Sequence, residues 1–181
     1  MNKICITSFD PFDGRTINTS REVINKLTNH NLVKKDLKVS YNIKDDIEKI
    51  LKENYDVLIL TGEAQGRENL TIEKLAINLK SASRPDNDGV VYFNERIDNG
   101  PDAYFSNVDV IELNRKLNSL GYNTKVSLSA GSYICNLSYY YALKYVKEHN
   151  LKTKVIFIHF PINYDMINKY KMTIEKIIEI I

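Results

Sequence analysis

The stretch Tyr55-Asp56-Val57-Leu58-Ile59-Leu60 decides the fold. It is an apolar run interrupted only by Asp56. Lacking polar alternation, it reads as a strand buried on both faces, as inside a parallel sheet. Working outward, residues 37–41 and 3–7 read as further strands on its N-terminal side. Between them lie helical patterns at 20–27, with Val23, Ile24 and Leu27 spaced along one face, and at 45–53, with Ile47, Ile50 and Leu51. Thr19 or Ser20 suits the N-cap of the first helix. On the C-terminal side, 70–79 fits either a strand or a helix, and Arg84-Pro85-Asp86-Asn87-Asp88-Gly89 is a turn by composition. Residues 90–93 and 95–97 suggest a small hairpin. The alternation then resumes with a helix at 108–120 stopped by Gly121, a strand at 123–128, a helix from about 135 to 149, a strand at 154–159 and a helix at 172–181. Repeated strand–helix units predict one α/β domain over 1–181, with a largely parallel sheet covered on both faces.

Composition narrows the function. The 181 residues carry 25 basic and 23 acidic side chains, a balance that gives no strong field for nucleic acid or a membrane surface. No apolar run approaches a membrane span, and the opening Met1-Asn2-Lys3-Ile4-Cys5-Ile6 is too short for a signal core. The two cysteines point to the reducing cytoplasm rather than to a disulfide framework. Cys5 reads as core.

Cys135 is different. It ends Ser129-Ala130-Gly131-Ser132-Tyr133-Ile134-Cys135-Asn136, a small-residue turn between strand and helix. A thiol near a helix N-terminus meets unpaired N–H groups and the macrodipole, which favour the thiolate. In open α/β sheets functional groups gather beyond the carboxyl ends of the strands. Four ends here carry unusual chemistry: Phe9-Asp10-Pro11-Phe12-Asp13-Gly14, Gly62-Glu63-Ala64-Gln65-Gly66-Arg67, the approach to Cys135, and Phe157-Ile158-His159-Phe160-Pro161. Cys135 and His159 at neighbouring strand ends reach hydrogen-bond distance, as nucleophilic thiol catalysis requires. The third member is an acid or amide that fixes the imidazole tautomer. Glu73, Asp10, Asp86 and Glu63 are all candidates, and spacing does not choose among them.

These residues resemble the pyroglutamyl peptidase I (pyrrolidone-carboxylate peptidase) family of cytoplasmic cysteine exopeptidases. The resemblance runs nearly end to end: T-x-F-D-P-F-x-G followed by Asn18; G-x-A-x-G-R at 62–67, then Ile72-Glu73 and Ala76-Ile77-Asn78; Pro85-Asp86-Asn87-x-Gly89; S-A-G-S-Y-I-C-N; and F-I-H-F-P. It implies a three-layer α/β/α sandwich with a mixed, largely parallel central sheet and a small side hairpin. It assigns Cys135 as nucleophile, His159 as general base and then acid, and Glu73 as the acid orienting His159. Phe9, Phe12, Tyr133 and Ile134 occupy its pocket positions, with Asn18 holding the loop or the substrate lactam. The implied substrates are peptides with an N-terminal pyroglutamyl (5-oxoproline) residue, and the implied assembly is a homo-oligomer, frequently a tetramer. No cofactor or metal is required, and no metal-ligand spacing appears.

Several departures bear on substrate. Glu63 stands where the family commonly has Gln, and an ionised carboxylate accepts hydrogen bonds but cannot donate. Ser83 and Arg84 stand where an Arg and then an apolar residue are typical, so Arg84 would act from a neighbouring position. One step along a strand would turn it to the opposite face. Asp13 replaces a usual glycine and Thr19 a usual proline. Two alternatives follow: a thiol hydrolase of the same fold with altered N-terminal acyl specificity, and a non-catalytic binding module that retains the fold.

Overall fold

The computed structural model describes residues 2–29 and 31–181; Met1, which begins the segment read as too short for a signal core, and His30 lie outside them. In chain order the elements are β1 (Ile4–Phe9), α1 (Thr19–Asn25), β2 (Leu32–Leu37), α2 (Lys44–Lys52), β3 (Val57–Ala64), β4 (Leu70–Glu73), β5 (Leu75–Ile77), β6 (Ala103–Phe105), α3 (Val110–Ser119), β7 (Thr124–Ser127), α4 (Ile134–Glu148), β8 (Lys154–Pro161), a 3-10 turn Tyr164–Met166 and α5 (Ile167–Ile180). Six strands form one sheet in the order β2-β1-β3-β8-β4-β7, and β5 pairs with β6 in a second. Every pair of the large sheet is parallel except β4 with β8. The sheet is therefore mixed and largely parallel, as expected.

The central strands are apolar on both faces because both are covered. Val155 and Phe157 of β8 join Leu58 and Leu60 of β3 in a core closed by α2 and α4, where Tyr139 and Tyr140 are wholly buried. Ile156, Ile158 and Phe160 point the other way, into a core closed by α1, α3 and α5. Alternate residues of one strand thus feed two cores. Among the described residues no helix is long and apolar enough to cross a membrane.

Several expectations change, among them the α1 N-cap, which is Asn18 rather than Thr19 or Ser20. The second strand lies at Leu32–Leu37 rather than 37–41. Its Lys34, Lys35 and Asp36 hide it from an apolar pattern, as charged residues do on edge strands. Val39 and Tyr41 are core residues on irregular chain, held where Asn87 N–H donates to the Val39 carbonyl (2.8 Å) and Asp86 accepts from Tyr41 N–H (2.8 Å). The ambiguous 70–79 stretch is two short strands, β4 and β5, in different sheets. The side hairpin is β5 with β6, not 90–93 with 95–97, of which only Glu95 forms an isolated bridge, to Lys80. Finally, the last helix begins at Ile167, five residues ahead of the expected 172; Tyr170 alone of its first turn is buried, too little to display a periodic apolar face.

Candidate active site

The site is built where β3 and β8 run side by side, with Gly62 in register with His159. In-register residues face the same side of a sheet. Gly62 has no side chain, and Cys135 takes the space above it: a Cβ built on Gly62 would stand 2.7 Å from Cys135 Sγ and 3.2 Å from the Phe157 ring. Glycine at this position lets the thiol settle on the strand face that carries the imidazole.

On the other side of β8, antiparallel β4 sets Thr71 opposite His159. Two residues on, the Glu73 carboxylate accepts from His159 Nδ1 at 2.8 Å, with both side chains buried. The same Oε1 meets Arg67 Nη1 at 2.9 Å and the Thr71 hydroxyl at 3.3 Å, and Arg67 Nη2 donates to the Ser129 carbonyl at 2.8 Å. A carboxylate facing Nδ1 fixes the tautomer with Nε2 free to accept a proton. Of the four candidate acids, Glu73 is the one hydrogen-bonded to His159. Asp10 pairs with Arg21 (2.6 Å), Glu63 pairs with Arg15, and Asp86 collects the N–H groups of Tyr41, Asp88 and Val90.

Cys135 and His159 do not come from neighbouring strand ends. Strand β4 lies between β7 and β8, and β7 runs opposite to β8. The thiol returns to the centre through the 128–133 loop and α4. Asn136, fully buried, anchors that return: its Oδ1 accepts from Ile77 N–H (2.9 Å), and its Nδ2 donates to the carbonyls of Ile77 (2.9 Å) and Leu79 (3.0 Å). One turn on, the Tyr139 hydroxyl donates to the Glu73 carbonyl at 3.1 Å. The helix that carries the thiol therefore also grips the backbone of the carboxylate.

Burial works against the thiolate that the helix end favours. Burial, then the Glu73 and Glu63 carboxylates, push the Cys135 thiol from 9.0 up to about 12, against Arg67 and the residue's own backbone N–H. Burial likewise depresses the His159 pKa, with Glu73 opposing. Desolvation thus works against the charged form of both groups and opposes the helix end.

Both side chains line a cavity of about 270 Å³ with Phe12, Arg15, Glu63, Arg67, Arg84 and Tyr133. A narrower recess of about 20 Å³ opens behind the thiol, walled by Phe9, Phe12, Asn18, Val39, Glu63, Tyr133 and Ile134. Every residue expected at the site borders one of these spaces except Glu73, which lies beneath through His159. A larger groove of about 410 Å³ beside Tyr104 and Lys147 has no cysteine, serine or histidine in its walls.

The departures fit one another. Glu63 Oε2 accepts the Thr19 N–H at 2.8 Å, a donor that proline lacks, and Oε1 is ion-paired with Arg15. Asp13 takes the left-handed conformation (φ 58°) that favours glycine, and its carboxylate reaches Arg84 at 3.3 Å. Residues 83 and 84 form a bend rather than a strand, so no face is flipped: Ser83 is exposed, while the Arg84 guanidinium lies 5.8 Å from the Phe12 ring centre and 6.0 Å from that of Tyr133. Asn18 caps α1, accepting from Ser20 N–H (3.0 Å) and donating to the Asp10 carbonyl (3.2 Å). Sequence reading missed Gly62, Arg67 and Arg15 as site residues. The first two belong to the Gly-rich 62–67 motif and carried a signal there; Arg15 sits in a loop, where nothing in the sequence pairs it with Glu63.

Comparison with known proteins agrees with this architecture. The chain is 36% identical over 166 residues to the pyrrolidone-carboxylate peptidase of Thermococcus onnurineus, covering 88% of this chain and 83% of that protein. Its fold superposes on the crystal structure of Bacillus amyloliquefaciens pyroglutamyl peptidase I with a TM-score of 0.90 at 27% identity, covering 98% and 95% of the two chains. For the pyrrolidone carboxyl peptidase of Thermococcus litoralis the TM-score is 0.88, also at 27% identity, covering 99% and 92%. The family model for pyroglutamyl peptidase matches residues 2–181, and the chain belongs to that family.

Proposed function

We propose that this chain is a cysteine exopeptidase that removes an N-terminal pyroglutamyl residue from peptides, with Cys135 as nucleophile, His159 as general base and then acid, and Glu73 as the carboxylate that orients His159. The observation that carries the reading is the Glu73–His159 hydrogen bond on the sheet face where Cys135 Sγ rests against Gly62. Because burial disfavours the charged forms of both thiol and imidazole, proton transfer accompanies attack. His159 Nε2 takes the thiol proton as Sγ adds to the carbonyl joining pyroglutamate to the next residue. Glu73 stabilises the imidazolium so formed. The proton then passes to the departing amine, leaving an acyl-thioester. Water deprotonated by the same imidazole releases free pyroglutamate and restores the thiol.

The developing oxyanion needs donors aimed at it. Helix α4 has no side-chain cap, and the Cys135 N–H lies in its first turn, beside a cavity wall made by Ala130 and Gly131. That N–H is the proposed donor. The flat, neutral ring packs between Phe12 and Tyr133, whose ring centres are 6.2 Å apart, with Phe9 and Ile134 behind. The recess itself has room for about one water-sized group, so the ring enters from the larger cavity and parts these side chains.

Release of pyroglutamate from pyroglutamyl-aminomethylcoumarin by the reduced wild type, and its loss in Cys135→Ala, is the expected outcome. No turnover by a folded wild type rejects the reading. The proposed assembly is a homo-oligomer, tested by sedimentation velocity, with a monomer as the contrary result. Both cysteines are free thiols, which suits the proposed cytoplasmic location; fractionation of the source cells tests it.

A further inference from the structure

Glu63 presents a problem for a neutral lactam, and Arg15 next to it presents a surplus. The Glu63 side chain is 1% exposed and borders both the cavity and the recess behind the thiol. Its Oε2 is occupied by Thr19 N–H, while Oε1 holds Arg15 Nη2 in an ion pair and retains a lone pair for a further donor. The Arg15 guanidinium lies over the Phe12 ring, 4.8 Å from its centre, and lines the same cavity. Its Nη1 is buried and has no hydrogen-bond partner among the described residues. A buried guanidinium N–H without an acceptor is costly unless something in the cycle supplies one.

A five-membered lactam holds its amide cis, so the ring N–H and ring carbonyl point the same way along one edge. Such an edge calls for an acceptor and a donor side by side. Resting on the pyroglutamyl reading above, we propose that Glu63 and Arg15 bind this edge together, with Glu63 Oε1 accepting from the ring N–H and Arg15 Nη1 donating to the ring carbonyl oxygen. Arg15 is then a specificity-determining residue, and its charge also keeps the Glu63 carboxylate from repelling that oxygen. The pair rejects prolyl N-termini, which have no ring carbonyl and carry a cationic ring nitrogen in place of a neutral one.

The test uses 2-pyrrolidinone, the bare lactam, alongside the coumarin substrate. In Arg15→Met, KM for the substrate and Ki for 2-pyrrolidinone rise together by about 10- to 100-fold, as loss of a charge-assisted hydrogen bond predicts, while kcat changes much less. Adding Glu63→Gln to Arg15→Met restores a donor and an acceptor in one side chain and recovers part of the affinity. Unchanged KM and Ki in a folded Arg15→Met overturn the proposal and leave Arg15 as a counter-ion only. Should Arg15→Met not fold, a crystal structure of the wild type with 2-pyrrolidinone decides: Arg15 Nη1 within hydrogen-bond distance of the ligand oxygen supports the pairing, and an oxygen bound elsewhere rejects it. Calorimetric binding of 2-pyrrolidinone does not depend on turnover. A wild type that binds the lactam through Arg15 without cleaving the substrate sinks the peptidase reading and keeps this one.

Discussion

Gly62 is the residue on which the proposed chemistry turns. It carries no functional group, yet its missing side chain is the space in which Cys135 Sγ meets the face of β8 that bears His159. Gly62→Ala forces a Cβ to within 2.7 Å of that sulfur. The thiol must move, and displacement of a reacting atom by about 1 Å costs on the order of 100-fold in rate. We expect kcat/KM to fall by about that factor with the circular dichroism spectrum unchanged; full activity in the variant would refute the seating of the thiol described above. Thr19, Glu63 and Arg15 illustrate a different point. Thr19 and Glu63 look like unrelated departures in the sequence and Arg15 like an ordinary loop residue, yet together they satisfy one another around one carboxylate. Residue types alone do not disclose that, because an ion pair between a loop and a strand end leaves no periodic trace.

At the scale of elements, α4 integrates the site. Its Tyr-rich sequence reads as an apolar helix, and the burial of Tyr139 and Tyr140 agrees. What the pattern does not reveal is that Asn136 ties its first turn to β5 and the chain beyond, or that the Tyr139 hydroxyl holds the Glu73 backbone. Asn136→Ala removes three hydrogen bonds and leaves part-buried backbone groups of Ile77 and Leu79 without them, at a cost of about 2–4 kcal/mol. Urea unfolding measures this directly, and a change of only a few tenths would show that water replaces the amide. Activity should fall as well, since Cys135 precedes Asn136. The long apolar strands and amphipathic helices were legible because burial imposes a period of two or 3.6 on them. The edge strand β2 and the β5–β6 pair were not. A charged edge has no apolar face to display, and three-residue strands fix too few positions to make a pattern.

The fold buries titratable groups, and its stability should depend on pH accordingly. His159 has a folded pKa depressed below 6.5 by burial, so the unfolded chain binds more protons as pH falls below 6.5, and stability declines there. Burial pushes the thiols of Cys5 and Cys135 from 9.0 up to about 12. Their contribution is complete below 9.0 and is lost as pH rises toward 12. Urea midpoints near about pH 5, 7.5 and 10.5 should trace a dome, with Cys5→Ala flattening its alkaline side; equal midpoints at all three would contradict these burials. The sequence by itself determined the layered α/β architecture and the family motifs, and it singled out Cys135 and His159 as candidates, because burial and chemistry select residue types locally. The tertiary structure decided the rest: which carboxylate meets the imidazole, that β4 stands between the strands leading to thiol and imidazole, that burial opposes the thiolate, and that Arg15 answers Glu63. These depend on register and desolvation, which arise only when segments distant in the chain pack together.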